Sequence, residues 1–179
     1  MRIIAGTKRG KKLAEKVDKT TRPTTDRVRE NVFNVLVNMV SLQGAKVLDL
    51  FAGSGAYGLE AFSRGAAEVI FNDRGLQAVD VIKKNCRMVG CDAVILNLDF
   101  KLALEKLKSK KFDIIFLDPP YESDFIPTAL GIIAKQNMLS GDGIIVIESG
   151  KELEIPSLKS KTYGRAWLYF VNPNLQLHK

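Results

Sequence analysis

One stretch restricts the fold more than any other: Lys46-Val47-Leu48-Asp49-Leu50-Phe51-Ala52-Gly53-Ser54-Gly55-Ala56-Tyr57-Gly58. The apolar run Val47 to Phe51 reads as a buried strand of a parallel sheet. Gly53 and Gly55 cut it off, and helical spacing resumes through Leu59 and Phe62. Strand, glycine turn and helix make the first crossover of a doubly wound α/β sheet, whose ligands sit outside the carboxyl ends of the strands. Glycines in that turn let a ligand approach the backbone, because no Cβ stands in the way. Gly53 to Gly58 also fits GxGxxG, the dinucleotide fingerprint, although a lone match is weak. Asp49, four residues before Gly53, changes the balance. An acid inside the strand would repel a pyrophosphate and suits a cationic amino-acid moiety. A nicotinamide-dinucleotide site and a merely structural turn stay open as alternatives here.

The rest of the chain alternates around this unit. Strands are expected near 46–51, 68–72, 93–97, 112–117 and 143–148, and helices near 56–64, 76–89, 100–108 and 124–136. Gly65 and Gly90 follow the first two of these helices, where a left-handed cap would sit. Such alternation predicts a mainly parallel sheet. After Pro156 it stops: Lys161 to Tyr163 and Ala166 to Val171 flank Gly164-Arg165 with no room for a helix, which predicts a closing hairpin. Upstream, Val28, Val32, Val35, Leu36 and Met39 recur at helical spacing, predicting an amphipathic helix over 26–40 with Thr25 as its N-cap. Before it, Arg2 to Ala5 reads as a short strand, Gly6 to Gly10 as a basic turn, and Lys12 to Ala14 as a second strand. The expected organisation is one domain over 1–179, with a basic β appendage (1–25), a covering helix (26–40) and a core (45–179).

Charge is unevenly placed. Of a net +7, residues 1–30 carry six, from ten bases against four acids, so the remainder is nearly neutral. That concentration points to a polyanion contact through counterion release, with a solvated basic face as the alternative. Cys86 and Cys91 have no metal-spacing partner and read as free thiols of a reducing cytoplasm. The single histidine, His178, leaves zinc and Ser–His chemistry without a ligand or base set. No apolar run approaches the ~20 residues that span a bilayer, and the apolar stretch Ile3 to Ala5 is too short for a signal peptide.

Four positions carry the chemistry. Asp49-Leu-Phe-Ala-Gly-Ser-Gly resembles motif I of the class I methyltransferases, whose S-adenosylmethionine carries an ammonium and a sulfonium. Asp73 ends the second expected strand, where an acid can accept both ribose hydroxyls of an adenosine-containing ligand. Asp99 follows the third; the methyltransferase layout sets an acid there against the adenine amino group with Phe100 on the ring, and a plain helix N-cap fits equally well. Asp118-Pro119-Pro120-Tyr121, after the apolar strand Phe112 to Leu117, resembles the (Asp/Asn)-Pro-Pro-(Tyr/Phe) motif of amino methyltransferases. An exocyclic amine is a poor nucleophile because its lone pair is delocalised. Two acceptors, the Asp118 carboxylate and the Pro119 carbonyl, would bind its two hydrogens and aim the nitrogen at the methyl group. Tyr121 would offer a stacking face to a base withdrawn from its helix.

Taken whole, the chain resembles the RsmD-type bacterial rRNA guanine-N2 methyltransferases, which act on 16S rRNA. Besides the two motifs, the opening Arg2-Ile-Ile-Ala-Gly and the run Arg22-Pro-Thr-Thr-Asp-Arg-Val-Arg-Glu-Asn-Val-Phe-Asn carry this resemblance. It implies a Rossmann-like α/β sandwich with a seven-stranded, mainly parallel sheet and S-adenosylmethionine as methyl donor. It implies cofactor contacts at Asp49, Gly53, Gly55, Asp73 and Asp99, with Thr24 and Thr25 either at the cofactor carboxylate or simply capping. Asp118, Pro119 and Tyr121 would hold the guanine, while Arg22, Lys8, Arg9, Lys11 and Lys12 would meet the RNA. Family members often carry a second acid where this chain has Gly75. The expected protein is a cytoplasmic monomer that uses no metal and acts on 16S rRNA or an assembled small ribosomal subunit. A DNA adenine or protein glutamine acceptor, a non-catalytic ribosome-assembly role and an NAD oxidoreductase are the alternatives.

Overall fold

A computed structural model describes residues 1–15, 26–120 and 124–173. Its first helix, α1 (Asp26–Leu36), buries Val32, Phe33, Val35 and Leu36, and Asp26 complements the dipole in the first turn. It stops four residues before the expected end. The Asn38 side chain donates to the Asn34 carbonyl at 2.8 Å, occupying the acceptor that Asn38's own N–H would use. That N–H turns to Val35 and the turn tightens through Met39 to Leu36.

The alternating pattern then unfolds as β1 (Lys46–Asp49), α2 (Ala56–Ser63), β2 (Glu68–Asn72), α3 (Leu76–Val89), β3 (Val94–Leu96), α4 (Phe100–Lys106), β4 (Phe112–Leu117), α5 (Phe125–Lys135), β5 (Leu139–Ser149), β6 (Lys159–Tyr163) and β7 (Ala166–Val171). The described strands form one seven-stranded sheet in the order β3-β2-β1-β4-β5-β7-β6. Strands β1 to β5 are parallel, and β7 runs antiparallel to both β5 and β6. Side chains alternate between faces along each strand. Val47, Phe71, Phe116 and Val146 meet α1, α2 and α3 through Phe33, Leu59 and Ile82. Leu48, Ile70, Ile115 and Ile145 meet α4 and α5 through Leu104, Ala129 and Ile133.

Gly90, at φ 71°, caps α3 in the left-handed conformation anticipated for it. Strand β5 begins four residues early. Gly141-Asp142-Gly143 lies inside a register shift, where Phe112 pairs Leu139 and Ile114 pairs Ile144. The buried Asn172 amide holds the displaced backbone, donating to the Gly141 and Gly143 carbonyls at 2.9 Å each.

Residues 1–15 form a hairpin with a single antiparallel bridge, Arg2 to Lys12, where two short strands were expected. Its pairing is brief because its backbone bonds the core instead. Ile4 and Ala5 donate to the buried Glu60 carboxylate at 2.8 and 3.0 Å, and Thr7 donates to the Ser63 carbonyl at 2.7 Å. Gly6, at φ 81°, sits so close to Ser63 that a Cβ would stand 1.8 Å from its carbonyl oxygen. At the open end, Ala14 and the buried Asn85 exchange hydrogen bonds of 2.7 and 3.0 Å. The hairpin thus lies along α2, its tip at Ser63 and its ends near the glycine turn.

Candidate active site

The carboxyl ends of β1, β2 and β4 and the segment after β3 gather Asp49, Asp73, Asp118 and Asp99. Between β1 and α2 the chain turns through Gly53 and Gly55, at φ 57° and 80°. A Cβ at Gly53 would meet nothing within 4 Å, so the turn frames open space. Gly58 serves packing: a Cβ there would stand 2.3 Å from the Phe71 ring, so glycine lets α2 lie directly on β2. Asp73 receives Gly53 N–H on one oxygen at 2.9 Å and Gly75 N–H on the other at 2.8 Å.

Asp49 is 2% exposed and accepts the Gly58 N–H at 3.0 Å. Burial pushes its pKa up to about 7; the Gly58 bond opposes the shift and the charge of Asp73 adds to it. A desolvated carboxylate beside an open glycine turn fits a ligand with a cationic amino group. Asp99 is exposed and caps α4, accepting Lys101 N–H at 2.9 Å, so the plain-cap alternative describes its present bonding. Phe100 behind it packs against Phe51 and Phe125, with ring centroids 5.4 and 4.9 Å away. At the end of β4, Asp118 is half-buried, Pro119 buried and Pro120 exposed. Tyr121, Arg22, Thr24 and Thr25 lie outside the described residues.

Residues 1–172 match the family described as Conserved hypothetical protein 95. The Bacillus subtilis protein YlbH is 38% identical over 175 residues, spanning 92% of this chain and 94% of its own. Ribosomal RNA small subunit methyltransferase D of Haemophilus influenzae is 34% identical over 174 residues, spanning 92% and 89%. The chain belongs to the RsmD family. A solved hypothetical protein of Thermus thermophilus superposes at a TM-score of 0.84 with 32% identity, covering 96% of this chain and 98% of that one. The RsmD-family fold seen here is that of the class I S-adenosylmethionine-dependent methyltransferases.

Within this RsmD-family site the structure adds residues that motif reading passed over. Asn72, buried in β2, donates to the Leu50 and Leu98 carbonyls at 3.1 Å each and accepts from Leu98 N–H at 3.3 Å. One amide thereby ties the chain leaving β1 to the segment that carries Asp99. Asn85 joins the Ser54 carbonyl (2.9 Å) to Ala14, bonding the glycine turn to the hairpin. Tyr57 donates to Glu148 at 2.7 Å beside the amine motif. Asn72 after Val69 to Phe71 and Glu148 after Ile144 to Ile147 each end an apolar run, which marks a polar residue in a buried strand without naming its partners, whereas Asn85, in Lys83-Lys84-Asn85, leaves no such signal. The basic side chains stand elsewhere. Arg9, Lys11 and Lys12 are exposed and Lys8 half-buried. The tip, bonded at Ser63, lies an α2 length from the glycine turn, about 12 Å for eight residues.

Proposed function

We propose that this chain methylates the exocyclic N2 of a guanine in 16S rRNA, with S-adenosylmethionine as donor. The observation that carries the reading is the convergence of Asp49 and Asp73 around the Gly53 turn with Asp118-Pro119 one strand away. S-adenosylmethionine, when bound, supplies an electrophilic methyl group on a sulfonium. Asp49 neutralises the ammonium of such a ligand, and Gly53 and Gly55 let it approach the backbone. Asp73 accepts from ribose hydroxyls, and Asp99 with Phe100 faces the adenine. Thr24 and Thr25 take the carboxylate. Asp118 and the Pro119 carbonyl accept the two hydrogens of the guanine amine, holding its lone pair toward the methyl group and favouring the pyramidal transition state. Asp118 then takes the proton that the alkylated nitrogen gives up, and Tyr121 stacks on the base.

Lys8, Arg9, Lys11, Lys12 and Arg22 contact the RNA. A basic tip about 12 Å from the glycine turn suits a folded RNA or an assembled small subunit better than a lone nucleotide. The chain works as a monomeric single domain with the hairpin bonded to its core. Both described cysteines are free thiols, which supports a reducing cytoplasm, and no described helix is long and apolar enough to cross a membrane. The deciding experiment is labelled methyl transfer to rRNA from cells lacking the protein, followed by nucleoside identification. N2-methylguanine is the expected product; a labelled base of any other kind, or none, overturns the assignment.

A further inference from the structure

Glu148 is a buried acid, 4% exposed, at the carboxyl end of β5. Its placement follows from register. Leu117 pairs Ile147 across β4 and β5, so Asp118 and Glu148 are the next residues on adjacent strands, which run ~4.8 Å apart. Phe116 and Val146, two residues before each, lie on the face packed by α1 and α2. By alternation Asp118 and Glu148 share that face with Asp49, which pairs Phe116 and so stands two residues earlier along the strands. Tyr57 confirms the arrangement from α2. Its hydroxyl donates to Glu148 at 2.7 Å, and its pKa is raised well above the usual value by burial, then by Glu148, then by Asp118. Glu148 therefore meets the phenol directly, and Asp118 lies within its electrostatic reach. The phenol is held by its ring, stacked on Phe116 at 4.8 Å and 13° and flanked by Phe33 at 6.4 Å.

A carboxyl oxygen with a free lone pair accepts hydrogen bonds, and two carboxyl groups side by side offer acceptors to a row of donors. Guanine carries such a row on its Watson–Crick edge, N1–H beside the N2 amine, whereas adenine presents a lone pair at N1. Resting on the guanine-N2 reading above, we propose that Glu148 is a substrate-reading residue: its carboxylate accepts the N1–H of the guanine whose amine Asp118 and Pro119 hold. Tyr57 is its positioning residue, fixing one oxygen so that the carboxylate is aimed before the base arrives. Burial sharpens the choice, since a purine without that hydrogen would set a lone pair against a desolvated acceptor.

The test uses 2,6-diaminopurine, which keeps the N2 amine but has no hydrogen at N1. 16S rRNA carrying either guanine or diaminopurine at the methylated position is assayed in single turnover. Wild-type protein should act on diaminopurine at least about a hundredfold more slowly. Glu148→Gln can offer an amide N–H to the diaminopurine N1, so the ratio should fall to within about tenfold, with S-adenosylmethionine affinity unchanged. Equal wild-type rates on the two bases overturn the proposal without any variant. So does a folded Glu148→Gln that keeps the wild-type ratio. Should Glu148→Gln lose its cooperative melt, Glu148→Asp replaces it. Withdrawing the carboxylate by one methylene slows guanine turnover at constant cofactor affinity if Glu148 reads the base, and leaves it unchanged if Glu148 only packs. Wild type that transfers nothing to guanine N2 fails the parent reading; transfer without discrimination fails this one alone.

Discussion

The Asp73 carboxylate accepts the Gly53 amide hydrogen at 2.9 Å, so the acid of β2 and the glycine turn after β1 form one bonded unit. Its second oxygen holds Gly75 in the same way. Asp73→Ala should therefore do two things together. S-adenosylmethionine affinity should fall about ten- to a hundredfold, the worth of one charge-assisted bond, by calorimetry. Amide exchange at Gly53 and Gly75 should quicken in the free protein. Unchanged affinity would remove Asp73 from the cofactor site.

Asp49 makes the protein pH-sensitive in a definite direction. Its folded pKa of about 7 lies above the ordinary 3.8, so the folded state keeps a proton that the unfolded chain has lost. That contribution to stability is complete below pH ~4 and is lost as pH rises through 7. Asp49→Asn should gain melting temperature relative to wild type from pH 5 to 8, the difference shrinking toward pH 4. Affinity for S-adenosylmethionine should rise through pH 7 in wild type, as Asp49 ionises, and stay flat in the asparagine variant. Parallel affinity profiles in the two proteins would contradict an Asp49–ammonium contact.

The glycine of the turn and the glycine of α2 should fail differently. Gly58→Ala sets a methyl 2.3 Å from the Phe71 ring and should lower stability by about 1–3 kcal/mol, read from denaturant melts. Gly53→Ala meets no protein atom within 4 Å but keeps φ at 57°. It should cost only about 1 kcal/mol of backbone strain while weakening cofactor binding, because its methyl enters the space the turn frames.

Asp118→Ala should nearly abolish turnover while cofactor affinity stays within a few-fold, since its partner is the acceptor amine. Asp118→Asn keeps one acceptor oxygen and should retain partial activity. Wild-type single-turnover rates for Asp118→Ala would show that the amine is oriented by something else.

The basic hairpin separates by side chain and not by backbone. Serine at Lys8, Arg9, Lys11 and Lys12 together should flatten the slope of log RNA affinity against log salt by ~0.7 to 0.9 for each phosphate left without its cation, with cofactor affinity preserved. Asn85→Ala should disturb both, because that amide bonds Ala14 and the Ser54 carbonyl at once. Coincident salt slopes for wild type and the quadruple variant would exclude the hairpin as the RNA contact.

Much of this architecture could be read in advance because periodicity and punctuation agree. Strand β4 and helix α3 occupy the residues expected of them, 112–117 and 76–89. Local rules missed what distant partners decide. The hairpin's first arm turns its backbone N–H groups to Glu60 and its second arm bonds Asn85, so only one bridge pairs them, and β5 absorbed a glycine pair because Asn172, 29 residues on from Gly143, holds it. In the site, Asp49, Asp73 and Asp118 announced themselves at strand ends beside glycine or proline. Asn72 and Glu148 did not, since what a buried polar side chain does depends on which strands become neighbours.

The earliest residues of the chain have late partners. Ala14 bonds Asn85, 71 positions on, and Ile4 bonds Glu60, 56 positions on. Closing such spans costs chain entropy that only a formed α2–β2–α3 surface can offset. The hairpin precedes α2 and α3 in the chain, so the bonds that dock it can form only after the roughly seventy residues from Ala14 to Asn85 have been made. Folding of this element then runs against the direction of translation, and the crossover that frames the glycine turn becomes the template on which the basic hairpin is laid.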